Sequence, residues 1–257
     1  MRILVLPLAL IFAACLYLPF PKAAEHLADT VKRLYLRFLA PFTRKSGRRD
    51  ETLALVLFML LAGGVCQLIG GLHGILAGLV AAPFLCTYAM MPEAAFIKDQ
   101  LDRGVFARDI GEYDARVRSA CAAFGPSFTS DMTAPLLLVA LGTPIHMGLA
   151  LGGAYFTARV LSDEHPAARR EVMLTVRPAW AVMRFLLHLC SGVVGRSPFQ
   201  AHGDTARELL LSVLGIAGNA EDTHTPVSGD IAQAIFLGMF CTCLMALALC
   251  IALFAVC

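Results

Sequence analysis

The sequence predicts an all-α integral membrane protein with about four to five transmembrane helices, a broken, re-entrant helical hairpin and amphipathic interfacial helices. Three observations carry that expectation. Of the 257 residues 58% are hydrophobic and only 16% charged, with a mean hydropathy of +0.71, whereas about a quarter of the residues in soluble domains are charged. The apolar residues gather into runs long enough for a helix to cross a bilayer, and basic residues sit between them as orientation signals do. The run from Phe128 to Phe156 is broken at its middle by Gly142, Thr143 and Pro144, and backbone freed at such a break is tolerated only where protein or a water-filled cavity covers it. No linker or internal repeat divides the chain, so residues 1–257 read as a single polytopic membrane domain. The net charge of +2 is too small to point to nucleic acid and leaves the lipid bilayer as the expected partner.

The first run, Met1 to Phe20, reads as a retained helix rather than a signal peptide. Its n-region carries only Arg2, and the apolar residues continue past Cys15. Pro21 to Glu51 is strongly basic, and Leu27, Val31, Leu34, Leu36 and Phe38 give it an apolar face at helical spacing, as in a helix lying on the membrane surface. Its eight basic residues place it in the cytoplasm. Thr52 to Ile69 and Leu72 to Met91 read as two spans joined at Gly70-Gly71, with His73 as an interfacial residue. Pro92 to Asp131 carries mixed charge, as in a solvated helical pair that turns between Gly104 and Gly111.

Charge decides how the broken segment is read. Arg159, Arg169, Arg170, Arg177, Arg184 and Arg196 follow it, and a single crossing would leave all six outside, against the positive-inside rule. A hairpin that dips in and returns removes the conflict. Trp180 to Val194 contains Arg184 and His188, and so reads as an interfacial or buried helix. A helical run from Asp204 to Ile216 precedes a polar loop, and Ile231 to Cys257 is long enough to span. Most of the nine cysteines lie inside apolar segments, where they behave as small hydrophobes.

Polar and ionisable groups next to the membrane are functional candidates by default. They are Ser130 and Asp131 before the broken segment, Arg184 within an apolar helix, and Asp222 and His224 in the loop before the last span. Asp131 either caps a helix N-terminus or helps hold a Mg²⁺ that bridges phosphates. Arg184 either snorkels to the interface or meets a phosphate. His224 is a loop residue or a proton carrier. No Walker A loop, Ser-His-Asp spacing or metal-binding Cys/His pattern is present.

The order of these features resembles the CobD/CbiB family of cobalamin-biosynthesis membrane proteins (adenosylcobinamide-phosphate synthase) and its relative AmpE. Thr129-Ser130-Asp131 and Ala134-Pro135-Leu136 resemble the family's Thr-Ser-Asp and Ala-Pro-Leu motifs. Val182-Met183-Arg184-Phe185 resembles Pro-Ala-Arg-Leu, and Asp222-Thr-His-Thr-Pro226 resembles Asn-x-Gly-x-Pro. Phe20 stands where the family has His, Ser127-Phe128 where it has Glu-Asn, and its Asn-x-x-Asp-Ser-Met motif has no counterpart at Thr157 to Glu164.

The resemblance implies a bacterial inner-membrane protein whose main polar loops are cytoplasmic. It implies joining of an aminopropanol or its phosphate to adenosylcobyric acid, an amide-forming ligation that uses ATP and Mg²⁺. Asp131 would then serve as metal ligand, with Ser130, Arg184, Asp222 and His224 around substrate or phosphate. The departures fall on the polar residues such a site needs, and so leave a second reading, a non-catalytic sensor or accessory protein of the AmpE type. Self-association is compatible with either.

Overall fold

The computed structural model describes residues 5–13, 15, 21–43, 48–85, 98–103, 110–162, 164–195, 201–218 and 225–256. Among them the regular structure is entirely helical. The helices are α1 (Val5–Phe12), α2 (Pro21–Thr43), α3 (Arg48–Leu72), α4 (Gly74–Ala81), α5 (Ile110–Ser127), α6 (Ala134–Gly142), α7 (Gly148–Leu161), α8 (Pro166–Cys190), α9 (Ala206–Leu214) and α10 (Ser228–Val256). Three helical stretches are long and apolar enough to cross a membrane, Glu51–Leu72, Ala168–Val194 and Ser228–Ala255, and a shorter apolar one covers Gly74–Leu85. That is fewer than the four to five expected. The predicted second span is described only as far as Leu85, and the first apolar run as a helix only over Val5–Phe12. The backbone groups into two compact units.

The first unit holds residues 1–88, 130–177 and 246–257. At its centre α7 runs antiparallel to both α6 and α3, and α4 packs against α3. The predicted turn between α3 and α4 falls two residues later than the glycines suggest, because α3 runs through Gly70-Gly71 to Leu72. The Nδ1 atom of His73 accepts a hydrogen bond from the Ile75 N–H at 3.2 Å and so caps α4. A side-chain acceptor at this position satisfies one of the helix's free N–H groups.

Helices α3 and α7 approach through small residues. A Cβ on Gly63 would sit 2.4 Å from the Ala150 carbonyl oxygen, and one on Gly153 would sit 2.8 Å from Cys66 Sγ. The Gln67 side-chain oxygen accepts from the Ala150 N–H at 3.2 Å across the same contact. Between apolar helices the hydrophobic effect gives little advantage over lipid, and close packing of this kind supplies the attraction instead.

The amphipathic helix α2 is present, but its buried face differs from the expected one. Tyr35 and Leu39 are buried with Val31 and Phe38 beside them, while Leu34 and Leu36 are exposed. Tyr35 is the residue that shifts the face. Its ring meets Phe58 at 5.3 Å and His165 edge-on at 4.9 Å, in a cluster with Ala54, Leu55, Leu161 and Ala168. Two polar contacts flank the cluster, Lys32 Nζ to Glu164 at 2.9 Å and His165 Nδ1 to Glu51 at 3.0 Å.

The second unit holds residues 89–129 and 178–245. Helix α9 begins with a full capping box, in which the Thr205 hydroxyl accepts from the Glu208 N–H at 3.2 Å and the Glu208 carboxylate accepts from the Thr205 N–H at 3.3 Å. It lies against α5, where Gly125 closely approaches the Ala206 carbonyl. At the start of α10, the Asp230 carboxylate accepts from the Val227 N–H at 2.8 Å and the Ser228 hydroxyl donates to Asp102 at 2.6 Å. The predicted interfacial segment Trp180 to Val194 is part of a longer helix that runs from Pro166 through Pro178 to Cys190, followed by a turn of 3-10 helix. A helix continues through an internal proline when the freed carbonyl finds another partner.

Two expectations follow. Gly63→Ala should destabilise the protein by about 1–3 kcal/mol, because the added methyl meets backbone that cannot swing aside. Its neighbour Gly64 has nothing within 4 Å of an added Cβ, and Gly64→Ala should be neutral or gain about 0.5–1 kcal/mol from helix propensity. Denaturant titration in mixed micelles separates the two. The second concerns pH. The Glu164 carboxyl is held below its usual range by its hydrogen bond and charge pairing with Lys32. Its contribution is therefore complete above the ordinary carboxylate pKa and is lost as pH falls through the lower value in the folded state. Hydrogen exchange along α2 should rise on acidification in that window, with a smaller rise in Glu164→Gln.

Candidate functional site

The polar triplet at the head of the broken segment forms one turn of π-helix, Phe128–Thr133, between α5 and α6. Such single-turn bulges recur at functional sites because they re-aim side chains within a helix. Thr129 lies in the second unit, where its hydroxyl donates to the Gly125 carbonyl at 2.8 Å. Ser130 and Asp131 belong to the first unit and open its hairpin.

The break at Gly142, Thr143 and Pro144 is a turn between two antiparallel helices. Thr143 donates to the Val139 carbonyl at 2.6 Å, and the Met147 N–H closes back on the Gly142 carbonyl at 2.8 Å. A Cβ on Gly142 would lie 2.7 Å from the Gly148 Cα, so glycine is what lets the two arms meet. Within the turn His146 has a φ of 62°, a left-handed conformation that costs a non-glycine residue energy.

Antiparallel pairing brings the far ends of the arms together, and there the site is found. Arg159 on α7 places its Nε 2.6 Å from Asp131 Oδ1, with the Asp131 side chain only 5% exposed and the Arg159 side chain 28%. The Ser130 hydroxyl donates to the same Oδ1 at 2.7 Å. One turn before Arg159 on the same helix face, the Tyr155 hydroxyl donates to the Ser130 carbonyl at 2.6 Å. Arg159 also donates from a terminal nitrogen to Ser162 Oγ at 3.2 Å, and that hydroxyl donates to the Arg159 carbonyl at 2.7 Å. A carboxylate taken into an apolar hairpin is thus neutralised and hydrogen-bonded, as a buried charge must be.

Of the residues singled out in the sequence, Ser130 and Asp131 are brought together here. Arg184 lies on α8 in the second unit, exposed, where it acts electrostatically on His188 one turn later. Asp222 and His224 lie outside the described residues. Tyr155 and Arg159 were missed as site residues. Their signal was a polar pair four residues apart in an apolar helix, which puts both on one face. No three His, Cys, Asp or Glu side chains converge on a metal position among the described residues. No family model, curated protein or solved structure matches this chain.

Breaking a buried pair leaves one charge uncompensated, at a cost of about 3–5 kcal/mol. Asp131→Ala and Arg159→Ala should each destabilise by that amount, and the double variant by clearly less than their sum. A double-mutant cycle in mixed micelles measures the coupling, and additivity would show that the two charges do not interact.

Proposed function

We propose that the chain is a CobD/CbiB-like membrane protein that works as a non-catalytic accessory or sensor of the AmpE type, in the bacterial inner membrane with its main polar loops cytoplasmic. The observation that carries this reading is the commitment of Asp131 to Arg159 within one hairpin. The ligase reading needs that carboxylate for Mg²⁺. A divalent cation about 4 Å from the guanidinium would meet roughly 8 kcal/mol of repulsion at an effective dielectric of 20, twice the value for unit charges. The residues around Asp131 therefore do not fit a metal while the pair is closed, and its chemistry is that of a latch.

Hairpin length supports re-entry into the bilayer. The fourteen residues of α7 rise about 21 Å, short of the hydrocarbon thickness of about 30 Å. Each arm is suited to dipping in and returning, which puts the basic residues after α7 on the same side as α2, as the positive-inside rule requires. Arg184 in this reading snorkels to the interface.

Complementation tests the proposal. Expressed in a bacterium lacking its own adenosylcobinamide-phosphate synthase, the chain should reach the membrane yet fail to restore growth that depends on corrinoid synthesis from cobyric acid. Growth would establish the ATP- and Mg²⁺-dependent ligase with a corrinoid substrate. Loss of Mg²⁺-dependent substrate binding in Asp131→Asn, at unchanged membrane abundance and melting temperature, would then assign the metal to Asp131.

A further inference from the structure

The first unit carries a second polar feature, at the opposite end of the hairpin from Asp131. A cavity of about 290 Å³ lies where the α3–α4 turn meets the α6–α7 turn, with Val139 and Leu149 among its apolar walls and Gln67, His73, Thr143 and His146 among its polar ones. Its volume is near the lower end for small-molecule sites.

The fold fixes the hydrogen-bonding roles of three of these side chains. Gln67 accepts through its oxygen from the Ala150 N–H, which leaves its NH₂ group to donate, and no partner for it occurs among the described residues. His73 accepts at Nδ1 from the Ile75 N–H, so the neutral ring carries its proton on Nε2. That tautomer presents a donor, and it withholds the Nε2 lone pair that a metal would need. Thr143 spends its hydroxyl proton on the Val139 carbonyl. No Asp or Glu lines the cavity. Gln67 and His73 therefore offer it N–H donors, and no carboxylate is there to balance a cation.

We propose that this cavity binds a small carboxylate with a short aliphatic tail, the headgroup accepting from Gln67 and His73 and the tail lying against Val139 and Leu149. The site is independent of the accessory reading above, because it rests on other residues and makes no use of Asp131.

Hexanoate is a suitable probe, titrated calorimetrically into the full chain purified in detergent. Saturable binding is expected, with hexylamine failing to bind or compete. Two substitutions keep the α4 cap, because Asn and Asp both serve as N-caps. His73→Asn also keeps a donor and should hold affinity within about 3-fold, whereas His73→Asp faces the ligand with a like charge and should weaken it at least ~10-fold. Gln67→Leu should weaken it by about 10-fold for loss of one donor to a charged acceptor. Unchanged melting temperatures in both His73 variants would show that the effect is local. Absence of saturable hexanoate binding, equal affinity in His73→Asp, or hexylamine binding as tightly would each overturn the proposal.

Discussion

The pairing of Asp131 with Arg159 is the constraint on which the first unit depends. A carboxylate buried in an apolar hairpin must be neutralised and hydrogen-bonded, and among the described residues the contacts that do this come from Arg159 and Ser130. Meeting that requirement fixes the register of α6 against α7. Tyr155 adds a second tie one turn away, so the base of the hairpin is held at two points. Register at the base dictates the tip, where Gly142 and Gly148 come into contact and the chain reverses through the strained His146.

Steric fit extends the order outward from the hairpin. Gly63, Gly70 and Gly153 let α3 lie directly on α7, and in a lipid environment such close approach supplies the attraction that water would otherwise provide. The base of α3 then meets the end of α7 at Leu55 and Leu161, and α2 closes over them through Tyr35 and Leu39. Water-facing contacts such as Lys32 with Glu164 trim this arrangement but contribute little, being exposed to screening. At the other end the same α3–α7 register brings the two turns side by side and leaves the cavity between them.

How much of this could be read from the sequence depended on the range of the interaction concerned. The helix–turn–helix was legible because its signal is local: glycine and proline at the break. The amphipathic character of α2 was legible from periodicity, but its buried face was not. Tyr35 is amphipathic itself, and only its contacts with Phe58 and His165 decide that it turns inward while Leu34 and Leu36 turn out. Asp131 stood out as a charge at the head of an apolar run. Its partner did not, because Arg159 is 28 residues away and reads equally well as an orientation signal. His73 behaves similarly, since a histidine beside Gly-Gly suggests an interface, and its role as a cap appears only once α3 is seen to run to Leu72.

The two polar features of the first unit lie at opposite ends of the α6–α7 hairpin, and this bears on how one could affect the other. From Asp131 to Gly142 the chain rises about 16 Å as helix, so a ligand at the tip makes no contact with the pair at the base. Coupling between the ends would have to pass through the register of α6 against α7, an element with discrete packing arrangements rather than a continuous range. Sliding either arm would separate Tyr155 from the Ser130 carbonyl and Arg159 from Asp131 together, because both ties bridge the same two arms of the hairpin. A ligand at the tip could therefore bias the latch only by as much as it prefers one register over the other.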